Sequence, residues 1–249
     1  YFADATAAIA AMSSGQIDIA TAEDSGIASL GDILGLVSTI ESPKVSSVVK
    51  SGAMTEQVIF NFRSTSIFSV ERNNQDPAAA LSVRKAFLNL IPKNRIITGI
   101  SQNYSVTPSD SLVFSSGMNY YDSSVSENGL TEYLFQDVEK ASELMAASGL
   151  ELPRKVRVVF DTDNPRAQAA WILLRERALS AGFKLKDLSS QDPTQVLASG
   201  DFDVYIGARP VVSLPSENVF AITSSAVFGY TSALVDGELE ELALAADER

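Results

Sequence analysis

Apolar and polar positions alternate in helix-length and strand-length blocks over residues 137–207. DVEKASELMAASGL and NPRAQAAWILLRERALSAGF have the length of helices, whereas KVRVVF and DFDVYIG are short apolar runs of strand length. Asn164-Pro165 and Asp192-Pro193 each place a capping side chain before a proline at the first helical position. The order of the blocks predicts a β-α-β-α-β unit, and therefore a largely parallel sheet with right-handed crossovers.

Glycines mark the ends of the predicted helices. Gly149, Gly182 and Gly200 each follow a helix-length block, where a left-handed residue commonly closes the last turn. Open sheets built from such units bind ligands beyond the carboxyl ends of their strands. A binding site is therefore expected at that edge.

The remaining chain predicts further elements around this unit. Near the N-terminus, DATAAIAAMSSGQIDIA indicates a helix that stops at Gly15 and a strand at 17–20. Other predicted elements are a helix at 27–34, strands at 36–40, 45–49 and 57–63, a helix opening at Asp76-Pro77, the short helix KNRIITGI, a turn or helix in SENVFAI, and a C-terminal helix in GYTSALVDGELEELALAA. Residues 101–134 lack periodicity and are expected to be irregular. We interpret 1–249 as one α/β domain, in which 1–63 hold crossing strands and first helices and 64–249 form the main body.

Composition narrows the class of function. The 249 residues are 45% hydrophobic and 20% charged, which is typical of a globular protein. The net charge of -12 argues against nucleic acid or an anionic membrane as a partner. The chain has no His and no Cys, so Ser-His and Cys-His pairs, thiolate catalysis and imidazole metal sites are excluded. We therefore predict no catalytic residue, no metal site and no cofactor.

Two further interpretations stay open beside a binding protein. Asp161 and Asp163 in FDTDNPR, or Asp203, could serve a carboxylate-dependent hydrolase, although acids before an Asn-Pro helix start are typical of capping turns. The acidic segment at 236–249 could instead dock a basic protein partner. Among other polar and aromatic candidates, Arg84 is expected in a buried ion pair and Trp171 in the core.

Three blocks together resemble the solute-binding proteins of peptide-type ABC importers, the oligopeptide, dipeptide and nickel group called family 5. They are ATAAIAAMSSGQIDIA, then VRKAFLNLIPKNRIITGI, and then DVEKASELMAASGL with VRVVFDTDNPRAQAAWILLRERALSAGFKLK, LASGDFDVYIG and GYTSALVD. The resemblance implies one lobe, mainly the second, of a two-lobed protein that is usually about twice as long. A mixed, largely parallel sheet flanked by helices is implied, as is closure on a peptide-like or other small solute. The implied partners are a membrane permease and the missing first lobe, and the implied location is periplasmic or on the cell surface as a lipoprotein.

The start of the chain agrees with that interpretation. It begins at Tyr1 without Met, and no charged segment followed by an apolar signal region is present. We therefore expect either a processed chain or a fragment of a longer one. Since one lobe supplies one wall of a cleft, the isolated chain is expected to fold but to bind the family's ligand weakly or not at all.

The resemblance also carries candidate ligand residues, and it departs from the family at one of them. Family members that bind peptides have Gly-Trp after the last strand and then an Asp that pairs with the ligand's amino group. In IGARPVVSLP, Arg209 stands near the Trp position, and Val212 and Ser213 near the Asp position. An apolar residue cannot pair with a buried ammonium, whereas Arg209 suits an anionic or carboxylate-bearing ligand.

Two more positions complete the predicted ligand-binding set. Asn61 lies in VIFNF, near which the family's chain passes the cleft, and Tyr120 lies in the irregular segment. Each candidate has a structural alternative: a hydrogen-bonded amide for Asn61, an exposed loop aromatic for Tyr120, and an ion-paired or solvent-facing side chain for Arg209.

Overall fold

The computed structural model describes residues 5–19, 54–101, 111, 113–114, 118–210 and 228–247. Four strands form one open sheet in the order β1-β4-β2-β3. They are β1 (Met54–Phe60), β2 (Arg154–Phe160), β3 (Phe183–Asp187) and β4 (Val204–Pro210). β2 pairs in parallel with β3 and β4, and β1 pairs antiparallel with β4. The predicted mixed, largely parallel α/β sheet is confirmed.

The described residues also form helices. They are α1 (Ala5–Ser13), α2 (Pro77–Leu90), α3 (Lys93–Ser101), α4 (Tyr121–Glu127), a 3₁₀ turn (Leu130–Tyr133), α5 (Val138–Ala147), α6 (Pro165–Ala178), α7 (Thr194–Ser199) and α8 (Ala233–Asp247). None of the helices in the described part of the chain has the length and apolar character needed to span a bilayer.

The β2-α6-β3-α7-β4 unit forms where the sequence predicts it, and Asn164 caps α6 as expected. At α7 the expectation was wrong by one position, because Pro193 is the N-cap and the helix begins at Thr194. Asn164 Oδ1 accepts hydrogen bonds from the amides of Arg166 (3.0 Å) and Ala167 (3.2 Å) at the start of α6. Asp192 Oδ1 accepts one from the Thr194 amide (3.0 Å) at the start of α7. Gly200 closes α7 at φ +71°, a conformation that side chains disfavour.

The core lies between the sheet and helices α2, α5 and α6. Phe87 is at its centre, with ring centroids 5.5 Å from Phe60, 5.4 Å from Phe68 and 5.3 Å from Phe183 in edge-to-face geometry. Trp171 is only 6% exposed and packs against Phe160. The predicted core position of Trp171 is confirmed.

Three further local expectations were wrong. Residues 16–19 carry no strand pairing within the described part, although the helix before them stops at Gly15 as expected. The segment expected to be irregular contains α4 and the 3₁₀ turn, both shorter than the window that reveals helical periodicity. Among the described residues, Arg84 contacts the Ala80 carbonyl (3.1 Å) and the Phe62 ring (5.7 Å) rather than a carboxylate. The predicted elements at 27–34, 36–40, 45–49 and 216–222 lie outside the described residues.

The strand predicted at 57–63 is observed as β1, which begins and ends three residues earlier. At its end the Asn61 amide still donates to the Asp203 carbonyl (2.9 Å), but the chain then turns away from the sheet. By its internal contacts the whole chain divides into two compact units, one of residues 1–52 with 97–106 and one of 53–96 with 107–249. The sheet and its core belong to the second unit, and the single-lobe organisation stays a prediction.

Candidate functional site at the carboxyl edge of the sheet

Polar side chains gather where the parallel strands end. Asp161 directly follows β2 and forms an isolated parallel bridge with Ser190, which follows β3. Arg209 lies at the end of β4, opposite Thr55. Because β1 runs antiparallel, it brings Glu56 from its beginning to the same edge, opposite Ala208. Four segments that are distant in sequence thus meet at one edge.

Glu56 joins β1 to the start of α6. Its Oε1 accepts a hydrogen bond from Arg166 Nε (2.7 Å) and a longer one from Asn164 Nδ2 (3.4 Å). Its other oxygen, Oε2, is buried and has no hydrogen-bond partner among the described residues. The side chain as a whole keeps 27% of its surface exposed. The edge therefore holds a carboxylate of which only one oxygen is engaged.

Tyr205 lies along β4 toward the same edge. A Cβ placed on Gly207 would overlap the Tyr205 ring, so the ring occupies the space that glycine leaves open. Burial raises the pKa of the Tyr205 phenol, and the carboxylates of Glu56 and Asp161 raise this pKa further. The phenol therefore stays protonated at neutral pH and can donate a hydrogen bond.

Arg209 lies inside β4, one residue before its end, whereas the resemblance places this position after the strand. Its side chain is half-buried, and burial lowers the pKa of its guanidinium. An arginine remains charged at neutral pH even so, because its ordinary pKa is so high. Its ligand-binding role stays a prediction. Val212 and Ser213 lie outside the described residues.

Asn61 is placed away from the polar side chains of this edge. It is fully buried, and Nδ2 donates to the carbonyls of Gly200 (3.0 Å) and Phe202 (2.6 Å). Its Oδ1 accepts from the Arg63 amide (3.0 Å). These contacts hold the end of β1 against the α7–β4 turn, which is the structural alternative considered for Asn61. The ligand role finds no support among them.

Tyr120 has a different setting. It is 74% exposed, adopts φ +69° just before α4, and its ring centroid is 6.3 Å from that of Phe114. Its ligand-binding role stays a prediction.

The carboxylates proposed for hydrolysis are engaged in structural contacts. Asp161 Oδ1 accepts from the Asp163 amide (2.8 Å), a turn that leads into α6. Asp203 is fully buried, and its Oδ2 pairs with Arg157 Nε (2.9 Å). Among the described residues no group of three or more acidic side chains is arranged to hold a metal ion.

Sequence reasoning missed Glu56 and Tyr205. Strand periodicity contains the signal for Glu56, because Glu56, Val58 and Phe60 share one face and the latter two pack on the core. A charged residue on an otherwise apolar strand face needs a partner or a function. Tyr205 precedes Gly207 by two residues, which places it on the face that the glycine leaves open.

Polar side chains at the carboxyl ends of parallel strands are the arrangement in which open α/β sheets commonly bind ligands. The sequence comparison assigns the chain further. The family described as bacterial extracellular solute-binding proteins, family 5 Middle, matches residues 1–229. The chain belongs to this family. No curated protein matches it significantly.

Solved structures of solute-binding proteins share the fold. HbpA2 from Haemophilus parasuis is 17% identical with a TM-score of 0.66, over 96% of this chain and 45% of its own. AgaA from A. tumefaciens, in complex with agropinic acid, is 18% identical with a TM-score of 0.65, over 96% and 46%. NikA from Staphylococcus aureus, in complex with Ni(L-His)2, is 17% identical with a TM-score of 0.55, over 78% and 39%. The chain thus spans less than half the length of each of these three. Neither the family nor these structures support the hydrolase alternative.

Proposed function

We propose that this chain is a ligand-binding lobe of an ABC-importer solute-binding protein that captures a peptide-like or other small solute. The observation that carries the proposal is the polar carboxyl edge of the sheet, in a chain that matches family 5 over residues 1–229. Open parallel sheets bind ligands at this edge. The proposed partners are a second lobe, which would form the opposite wall of the cleft, and a membrane permease that accepts the closed form.

The family's extracellular character supports a location outside the cytoplasm, in the periplasm or on the cell surface as a lipoprotein. Closure on the solute would stabilise the two-lobed form only through contacts that the solute makes better in that form. One lobe makes only part of those contacts. The isolated chain should therefore bind solutes weakly.

Two side chains of β4 support an anionic group in the solute. Arg209 provides a charged guanidinium suited to carboxylates. Tyr205 lies four residues earlier in β4, on the same face of the strand, and its phenol is protonated. AgaA, a structural neighbour, is described in complex with agropinic acid, and NikA with a nickel–histidine complex. Small acids and histidine-bound nickel are thus reasonable first probes for this chain.

The proposal is tested by adding acetate, dialanine and nickel–histidine separately to the ¹⁵N-labelled chain. Weak, saturable shifts of backbone amides at 55–57, 161–166, 188–190 and 205–209 are expected, with no tight binding by calorimetry. Shifts confined to other regions would contradict the site. Tight binding by the isolated chain would contradict the interpretation that it supplies only one wall of the ligand cleft. Turnover of a substrate would contradict its assignment as a binding protein.

A further inference from the structure

The engaged and unengaged oxygens of Glu56 differ sharply in their surroundings. Oε1 accepts hydrogen bonds from Arg166 and Asn164 at the start of α6. Oε2 is buried yet has no donor among the described residues, and a buried polar atom without a partner is rare in folded proteins. A carboxylate held in this way gains most from a donor that arrives from outside the chain.

The groups around Glu56 favour a positively charged donor. Burial raises the pKa of the Tyr205 phenol, and the carboxylates of Glu56 and Asp161 raise it further, in agreement with a position of both carboxylates near β4. Arg166, bound to Oε1, is a counter-charge to Glu56. Ser190, next to Asp161, has a buried hydroxyl that is likewise without a hydrogen-bond partner among the described residues. A cationic N–H group would form a stronger bond with a carboxylate than a neutral one would.

Resting on the function proposed above, we propose that Glu56 Oε2 accepts an N–H from a cationic group of the solute, an alkylammonium or a guanidinium. Glu56 would then be a specificity-determining residue of the carboxyl edge. It lies opposite Ala208, the neighbour of Arg209 in β4.

Residues on the two faces of the sheet would then bind different groups of one solute. Glu56 faces the side of the sheet on which Val58 and Phe60 meet the core, and Tyr205 and Arg209 extend to the opposite side. A cationic group bound at Glu56 and an anionic group bound at Arg209 would lie on opposite faces of the sheet, at the same edge. The favoured class of solute is therefore one that carries both charges at separate ends.

The inference is tested on the ¹⁵N-labelled chain with three small probes of similar size: propylammonium chloride, propionamide and sodium propionate. Propylammonium should give saturable shifts of the amides at 55–57 and 161–166, and propionamide should give none there. This comparison needs no variant. Equal responses to propylammonium and propionamide, or no response to propylammonium, would overturn the inference.

Variants then assign the effect to Glu56. Glu56→Gln keeps the size of the side chain and an oxygen for Arg166, and it should weaken propylammonium binding at least tenfold. Glu176→Gln is a matched control, because Glu176 lies on α6 in an exposed pair with Arg95 (2.8 Å). Unchanged propylammonium affinity in E56Q would show that Glu56 does not bind the ammonium group. The responses to acetate and dialanine at 205–209 would then still stand, so the proposed function would survive that result.

Discussion

Asp203, which directly precedes β4, is fully buried and forms an ion pair with the partly buried Arg157 of the neighbouring parallel strand β2. Asp203 Oδ2 accepts from the Arg157 backbone amide (2.7 Å) and from its Nε (2.9 Å), and Oδ1 accepts from Nη2 (3.0 Å). Oδ1 also accepts from the Ile67 amide (3.0 Å), which fixes the loop after β1 to the sheet. Hydrogen bonding with Asp203 raises the pKa of the Arg157 guanidinium, although its partial burial opposes this shift.

Replacing Asp203 by Ala should lower the free energy of unfolding by about 1–3 kcal/mol, because the Ile67 amide loses its acceptor and Arg157 keeps only its pair with the exposed Asp201. Urea denaturation followed by circular dichroism measures the change. Asp163→Ala is the control, since Asp163 is exposed, and its effect should stay within about 0.5 kcal/mol. A loss below about 1 kcal/mol in D203A would show that the pair does not hold the strands together.

Asn61→Ala should destabilise the chain by about 1–3 kcal/mol, because the buried carbonyls of Gly200 and Phe202 lose their shorter hydrogen bonds. Only the longer contacts from Thr65 Oγ1 (3.3 Å) and Arg157 Nη2 (3.5 Å) remain to them. Thermal and urea unfolding measure the loss. Asn119→Ala, at an exposed position, should have almost no effect. If N61A were as stable as the original chain, the described hydrogen bonds would not be the reason for an asparagine here.

Trp171→Ala should cost about 3–5 kcal/mol of stability, because it leaves a large cavity beside Phe160. The neighbouring Ile172 is 53% exposed, so Ile172→Ala serves as a control on the same helix and should change stability far less. Trp171 is also the single tryptophan of the chain, and its buried ring should emit at short wavelength until unfolding. An emission maximum typical of water in the native state would contradict its core position.

Gly207→Ala should move the Tyr205 ring, because the added methyl group overlaps it. Burial holds the pKa of this phenol above its ordinary value of 10.0, so displacement toward solvent should lower it toward that value. Ultraviolet titration of the tyrosines measures the shift, and Tyr205→Phe identifies the signal. Gly237→Ala is the control, since a Cβ at Gly237 meets no atom within 4 Å. An unchanged titration in G207A would contradict the described packing.

Stability should decrease in mild acid through two surface ion pairs. Hydrogen bonds from Arg95 and Lys140 lower the pKa of Glu176 and Glu132 below the ordinary 4.5. A carboxyl with a lowered pKa in the folded state contributes stability above its unfolded pKa, and this contribution is lost as the pH falls through the folded pKa. The urea midpoint, measured from pH 6 to pH 3, should therefore decrease less in Glu176→Gln than in the original chain. If the urea midpoint decreased equally with pH in Glu176→Gln and in the original chain, the pair between Glu176 and Arg95 would be contradicted.

The elements of the parallel unit could be predicted because their signals are local. Asn164 and Asp192 accept hydrogen bonds from amides only two or three residues away, and glycines end the helices through their own backbone angles. The family resemblance added Arg209 as a candidate ligand residue, and the structure places it inside β4. Residues 17–19 show the limit of such reasoning, since a strand needs a neighbour that its own residues do not specify.

By itself, the sequence determined the helix starts and stops, the buried stripes and the class of fold, because capping and periodicity act over a few residues. Only the tertiary structure decided which polar groups meet. Glu56 reaches Arg166 across 110 positions, and Asp203 reaches Ile67 across 136. Antiparallel pairing of β1 with β4 brings Glu56 to the carboxyl edge, where one of its oxygens is left without a donor among the described residues. That placement depends on sheet order, which no local pattern in the chain encodes.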